Sequence, residues 1–258
     1  MRLRSILYTA TLTLSLSACV TETSDPLLGK VDKEKAVQSH VNAARAYWNQ
    51  EHNNQRAHKH LSKALEIDPN SADAHDVLAL LYADEGEPKL AEENFLSAIS
   101  NAGPKKEAAM RNNYAVFLYS RGRYDEALEQ LLKATADTTY TNRANAFVNL
   151  GRCYSKLKRQ DDAEQAFERA LKLDPRRAAT WLDYADNKFE QGDYAKAKSA
   201  LLQYQQLSDN MPTPKSLWLG IRLERILGDR DKLASYELAL KNLFPNSPEY
   251  KEYLASKH

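Results

Sequence analysis

The chain has 258 residues, 43% of them hydrophobic and 28% charged, and a formal net charge of +1. This composition is that of a soluble globular protein, and the nearly balanced charge gives no indication of nucleic-acid binding. Eight glycines and nine prolines, together with abundant Ala, Leu, Glu and Lys, predict helices throughout. The two cysteines, Cys19 and Cys153, lie in such different contexts that no disulfide between them is expected.

The N-terminus has the pattern of a bacterial lipoprotein signal peptide. Arg2 and Arg4 form a short positive region, and a moderately apolar run follows from residue 6 to residue 16. The sequence Leu16-Ser17-Ala18-Cys19 resembles a lipobox, with cleavage before Cys19 and acylation of its thiol. An ordinary signal peptide with an incidental cysteine is the alternative. A membrane span is not expected, because the run is shorter than the ~20 apolar residues that a spanning helix needs.

Residues 1–18 are predicted to be removed, residues 19–34 to form an acylated cysteine and a tether, and residues 35–258 to fold. Cleavage removes Arg2 and Arg4, so the net charge changes from +1 to −1. The residue after Cys19 is Val20 rather than an aspartate, which resembles an outer-membrane lipoprotein of a Gram-negative bacterium. Such a lipoprotein faces the periplasm. Several acyl chains on Cys19 would give lasting attachment where one gives only marginal binding. No cofactor besides this covalent lipid is expected.

The best-formed stretch of the chain runs from Ala144 to Arg177. Its small, aromatic and apolar residues stand at positions 4, 7, 8, 11, 20, 24, 27 and 32 of 34: Phe147, Leu150, Gly151, Tyr154, Ala163, Phe167, Ala170 and Pro175. This spacing is that of a tetratricopeptide repeat, a hairpin of two antiparallel helices. Pro175 is expected to stop the second helix.

Helix packing explains the pattern of this repeat. Gly151 and Ala163 are small where the paired helices must approach closely, and Phe167 fills the space that this leaves. Asp161 followed by Glu164 predicts a capping box that opens the second helix.

The same template fits the rest of the chain, so the sequence predicts an all-α fold, a tetratricopeptide-repeat superhelix of about six helix-turn-helix units. Ser71 is well placed to cap a helix, and Ser247-Pro248-Glu249 predicts a short C-terminal capping helix. Four glycines fall at position 15, where the first helix should end with positive φ: Gly86, Gly122, Gly192 and Gly228. The units span approximately 38–71, 72–105, 108–141, 144–177, 178–211 and 214–247.

Candidates for chemistry are few. His58 and His60 are two residues apart on a predicted helix, so they point to different faces and cannot chelate one ion together. Cys153 has no suitably spaced histidine, which favours a buried small side chain over a nucleophile. The sequence contains no phosphate loop, zinc spacing or Gly-x-Ser-x-Gly motif. We therefore expect no enzyme, no metal site and no small-molecule substrate.

A binding surface is the remaining prediction. In this repeat the first helix of each pair lines the concave face through positions 2, 5, 9, 12 and 13, and small or apolar residues there favour an apolar peptide or helix as ligand. Ordinary groove residues without a ligand are the alternative. The candidate contact residues are Asn42, Ala46, Asn49, Asp76, Leu80, Ala83, Asn112, Val116 and Tyr119.

A lipobox followed at once by six tetratricopeptide units resembles the PilF/PilW family of type IV pilus biogenesis lipoproteins. The stretches Asn112–Leu118 (NNYAVFL) and Trp218–Arg222 (WLGIR) are similar to that family's third and sixth units. The resemblance covers essentially the whole chain. It implies a pilotin, a monomeric outer-membrane lipoprotein that binds the pilus secretin, largely through its first repeats, and promotes its localisation and multimerisation.

A general envelope scaffold is the competing interpretation. Other tetratricopeptide lipoproteins recruit peptidoglycan hydrolases or serve outer-membrane protein assembly. The repeats alone do not separate these possibilities, because they would look much the same in any of them.

Overall fold

The computed structural model describes residues 26–257, with side chains from residue 32 onward. The predicted signal peptide and Cys19 lie outside this range. Every regular element within it is an α-helix. The helices are α1 (Pro26–Asn49), α2 (Asn54–Ile67), α3 (Ala72–Asp84), α4 (Pro88–Asn101), α5 (Pro104–Ser120), α6 (Tyr124–Ala136), α7 (Arg143–Lys156), α8 (Gln160–Leu173), α9 (Ala178–Glu190), α10 (Tyr194–Leu207), α11 (Pro214–Leu227), α12 (Arg230–Leu243) and α13 (Pro248–Ala255).

The first twelve helices form six hairpins, which confirms the predicted all-α repeat fold. Each odd-numbered helix packs most closely against the even-numbered helix that follows it. The odd-numbered helices also contact one another from hairpin to hairpin, whereas the even-numbered helices have no comparable contacts among themselves in the described chain. The stack therefore curves, with α1, α3, α5, α7, α9 and α11 on its concave side. The last helix, α13, packs against α11 at the open end.

The turn inside each hairpin contains one residue with positive φ. The four predicted glycines have φ between 74° and 87°, which confirms their role in ending the first helix. The same position of the first and fourth units is occupied by His52 (φ 50°) and Lys158 (φ 60°). Because a Cβ makes this conformation costly, these two turns hold local strain that the glycine turns avoid.

Close helix packing in the fourth hairpin is confirmed at Gly151. A Cβ added there would lie 2.6 Å from the ring of Phe167, well inside van der Waals contact. Gly220 of α11 has the same relation to Tyr236 of α12, at 2.8 Å. In both hairpins the missing side chain lets an aromatic ring fill the space between the helices.

The tether prediction was wrong for residues 26–34, which belong to α1. Pro26 is the first residue of the helix, a position that needs no backbone N–H, and the Lys, Glu and Ala residues that follow favour helix. Proline and glycine in this stretch had suggested an irregular chain. The folded part therefore begins nearer to Cys19 than the sequence indicated.

The predicted capping box at Asp161 was also wrong. The N-cap of α8 is Arg159, without a side-chain cap, because the preceding turn ends two residues earlier than the motif suggests. Asp161 lies in the first turn instead, and Glu164 forms an ion pair with the buried ammonium of Lys188. The other predicted caps are confirmed, since Ser71 Oγ accepts from Ala74 N at 3.3 Å and Ser247 Oγ from Tyr250 N at 3.1 Å.

Candidate functional site

The concave face of α3, α5 and α7 contains a buried polar ladder. Asp76 is 1% exposed, and its two carboxylate oxygens accept hydrogen bonds from Asn113 Nδ2 at 3.0 and 3.1 Å. Arg45 of the first hairpin reaches the same carboxylate at 3.6 Å. Burial raises the pKa of Asp76 to about 6, although Asn113 and Arg45 oppose this shift.

The next step of the ladder has the same register. Asn112 is 4% exposed, and its Oδ1 accepts from Asn149 Nδ2 at 3.0 Å. Asp76 and Asn112 were predicted to face a partner, and the structure instead buries both in contacts between neighbouring hairpins. The physical reason is that the first helices lie close enough for these positions to bond across the interface. The carboxylate of Asp76 and the Oδ1 of Asn112 are therefore used to join the hairpins.

The other predicted groove residues remain at the surface. Asn42, Asn49 and Val116 are exposed, Val116 to 46%. Ala46, Leu80, Ala83 and Tyr119 are half-buried. These residues lie on α1, α3 and α5, and we call the apolar ones, Ala46, Leu80, Ala83, Val116 and Tyr119, the apolar strip. Their contact with a partner stays a prediction.

The first hairpin also contains a histidine contact that the sequence did not indicate. His40 Nδ1 of α1 lies 3.0 Å from His60 Nδ1 of α2, and His60 stacks on Tyr47 with ring centroids 5.2 Å apart. Burial, assisted by the nearby His40, lowers the pKa of His60. His58 points elsewhere and pairs with Glu85 at 2.9 Å, so His58 and His60 do not act together, as predicted.

A second surface, which we call the C-terminal cavity, lies on the concave face of the last hairpins. Its volume is about 870 Å³. None of its residues in the fifth and sixth units was predicted as a contact residue, although positions 2, 5, 9 and 13 of those units would have identified five of them. It is lined mainly by Tyr119, Arg152, Lys156, Lys158, Asp186, Asn187, Glu190, Lys215, Trp218, Arg222, Glu249 and Glu252.

Ion pairs between hairpins line the middle of this cavity. The Asp183 carboxylate, 8% exposed, receives Arg152 Nη2 at 2.7 Å from one side and Lys215 Nζ at 2.9 Å from the other. Arg222 bonds Asp186 at 2.6 Å and Glu190 at 3.0 Å, and its guanidinium lies over the ring of Phe189. Charged groups therefore join the fourth, fifth and sixth hairpins. A carboxylate–amide contact joins the second hairpin to the third, and an amide–amide contact joins the third to the fourth.

Comparison with known proteins decides which family this architecture represents. Tetratricopeptide-repeat families match residues 41–107, 106–176 and 158–210. The chain is 39% identical over 249 residues to "Type IV pilus assembly protein PilF" of Pseudomonas aeruginosa, covering 95% of this chain and 96% of that protein. The chain belongs to the PilF/PilW family.

Solved structures agree with this assignment. The structure of the P. aeruginosa PilF protein has a TM-score of 0.77 and 38% identity, covering 87% of this chain and 99% of that one. The structure of PilW, described as a widely conserved type IV pilus biogenesis factor, has a TM-score of 0.76 and 28% identity, with coverage of 85% and 99%. An uncharacterized protein of Haemophilus influenzae is 28% identical over 162 residues, covering 63% of this chain and 87% of that protein.

The chemistry of this PilF-family chain is that of a protein-interaction fold. Cys153 is 0% exposed, and burial raises the pKa of its thiol to about 12, so it is a packed side chain rather than a nucleophile. Residues 26–257 contain no group of three or more His, Cys, Asp or Glu side chains that could hold a metal ion. None of the helices described is long and apolar enough to cross a membrane.

Proposed function

We propose that this protein is a pilotin of the type IV pilus, an outer-membrane lipoprotein that binds the pilus secretin through its repeats and promotes secretin localisation and multimerisation. The observation that carries the proposal is 39% identity to a type IV pilus assembly protein over nearly the full length of both chains. The lipobox ending at Cys19 supplies the membrane attachment.

The proposed mechanism combines tethering with groove binding. Acyl chains on Cys19 hold the protein on the periplasmic face of the outer membrane. Seven peptide steps separate Cys19 from the first residue of α1, a reach of at most ~25 Å. The first hairpins and their apolar strip therefore stay close to the membrane in which the secretin ring must form.

Replacing the lipidated residue tests this mechanism. In Cys19→Ser cells we expect the secretin to be mislocalised and largely monomeric, because the repeats can still bind it but no longer carry it to the outer membrane. Membrane fractionation and gel analysis of secretin multimers measure both effects. Normal outer-membrane multimers in the mutant would contradict the anchor mechanism.

The identity of the partner needs its own experiment. Purification of the wild-type protein from detergent-solubilised membranes should yield the secretin as the principal partner. A peptidoglycan hydrolase or the barrel-assembly machinery in its place would contradict the pilotin function and indicate a general envelope scaffold.

A further inference from the structure

The C-terminal cavity has charges of opposite sign at its two rims. Lys156 and Lys158 stand at the end of α7 and in the turn that follows, and Glu249 and Glu252 stand on α13. None of these four side chains forms an ion pair with another residue in the part of the chain described here. The charges between the rims neutralise one another through the pairs of Asp183, Asp186 and Glu190, so the charged groups available to a ligand are those of the rims.

The turn at Lys158 is costly for the fold. Four of the six hairpins have glycine at this position, and Lys158 takes up the left-handed conformation (φ 60°) without it. Backbone strain of this kind is commonly retained where a side chain is needed for function. Lys158 lines the cavity, which gives its side chain such a use.

The floor of the cavity contains an unpaired polar atom. Asn187 is 3% exposed, and its Nδ2 donates to the main-chain oxygen of Gln160 at 3.2 Å and to its Oε1 at 2.7 Å. Its Oδ1 has no donor among the described residues. The Nε of Arg222, which also lines the cavity, likewise has no acceptor among the described residues. A polypeptide backbone, which brings both N–H and C=O groups, suits these residues better than an apolar ligand does.

We propose that the C-terminal cavity binds an extended polypeptide segment of a partner protein, with acidic side chains against Lys156 and Lys158 and basic side chains against Glu249 and Glu252. Packed helices are about 8–10 Å apart, so the path from α7 across α9 and α11 to α13 is roughly 25–30 Å. About nine extended residues span that distance. The half-buried side chain of Trp218, on α11 next to α13, offers an apolar surface to the segment. The cavity shares Tyr119 with the predicted groove of the first hairpins, but its four rim residues lie outside that groove, and the proposal does not depend on the proposed function.

Binding of four labelled nonapeptides, measured by fluorescence anisotropy, tests the proposal. All have blocked ends and a central leucine, and they differ in the two residues at each end. The first, mixed peptide has two aspartates at one end and two lysines at the other. The second has aspartates at both ends, the third lysines at both ends and the fourth serines at both ends. We expect the mixed peptide to bind about tenfold more tightly than the serine peptide and more tightly than either single-sign peptide.

Charge reversal of each rim should change the order in which the four peptides rank by affinity. Lys156→Glu/Lys158→Glu makes both rims negative and should favour the lysine peptide, whereas Glu249→Lys/Glu252→Lys should favour the aspartate peptide. Arg169→Glu/Lys172→Glu, on the exposed face of α8 outside the cavity, changes the total charge as much as the first pair and should leave the ranking unaltered.

Circular dichroism melting confirms that each variant is folded before binding is measured. A mixed peptide that binds wild type no more tightly than the serine peptide overturns the proposal. Rankings that the rim reversals leave unchanged, or that the α8 control changes equally, overturn it as well. The results of the Cys19→Ser and Val116→Glu experiments on the secretin have no bearing on these outcomes.

Discussion

At the scale of single residues, burial of the Asp76 carboxyl on the concave side disfavours its charged form and so lowers the free energy of unfolding at neutral pH. Its folded pKa is about 6 against 3.8 for an ordinary aspartate. Because the folded value is raised, the stability associated with this group is fully present below about pH 4 and is lost as the pH rises through 6.

We expect Asp76→Asn to stabilise the protein at pH 8 by about 1–3 kcal/mol, since an amide keeps an acceptor for Asn113 without the buried charge. Urea unfolding from pH 4 to pH 8 measures the effect, and the gain should vanish near pH 4. Asn112→Asp is the matched reverse change, since it places a carboxyl at the next step of the ladder, and it should destabilise most at high pH. A gain for Asp76→Asn that is independent of pH would contradict this account.

The exposed apolar residues of the strip carry the binding prediction. Val116 is 46% exposed on the concave side, so Val116→Glu should change stability little while weakening secretin binding at least tenfold. Leu132→Glu is the control, because Leu132 is 48% exposed on α6 of the outer layer. Co-purification with the secretin measures the loss, and equal binding by both variants would place the interface elsewhere.

At the scale of elements, the turn inside each of the six hairpins has one residue with positive φ, which is glycine in four hairpins and His52 or Lys158 in the other two. Lys158→Gly should raise stability by about 0.5 kcal/mol, as relief of the left-handed strain slightly exceeds the added entropy of the unfolded chain. His52→Gly makes the same change in the first hairpin, outside the C-terminal cavity.

Thermal melts and peptide titrations together separate backbone strain from ligand binding. Both glycine variants should melt at higher temperature, but only Lys158→Gly should bind the mixed nonapeptide more weakly. Stabilisation without any loss of peptide binding at Lys158 would show that the strained turn has no role in the cavity.

At the scale of the whole molecule, a stack in which each hairpin contacts mainly its neighbours can loosen at one end alone. Five of the six histidines lie before the end of α3, and His40 and His60 meet between α1 and α2. Burial and the nearby His40, Lys63 and Lys59 all disfavour a protonated His60 ring, which stacks on Tyr47.

Acidification should therefore loosen the first hairpin before the rest. Because the folded pKa of His60 is lowered, its contribution to stability is present above about 6.5 and is lost as the pH falls below that value. Hydrogen-exchange protection factors of α1 and α2 should drop between pH 7 and pH 5 while those of α9 and α10 hold. His40→Gln should reduce this pH dependence, and a uniform loss along the stack would contradict a local effect.

The sequence alone determined the repeat architecture because its signals are local. A small residue where two helices of one hairpin meet, a glycine that ends a helix with positive φ and a serine that caps the next all act within about twenty residues. Predictions from local patterns were wrong at the ends of two helices. Pro26 begins α1, where a tether was predicted, and the N-cap of α8 is Arg159, where Asp161 was predicted.

Tertiary structure alone decided which concave residues are open to a partner. Asp76 and Val116 both occupy first-helix positions expected in the groove. Asp76, at position 5, faces the next hairpin and is buried, whereas Val116, at position 9, is exposed. The rims of the C-terminal cavity likewise come from residues about ninety positions apart, on α7 and α13. Such contacts depend on how successive hairpins stack, which no spacing within a single unit records.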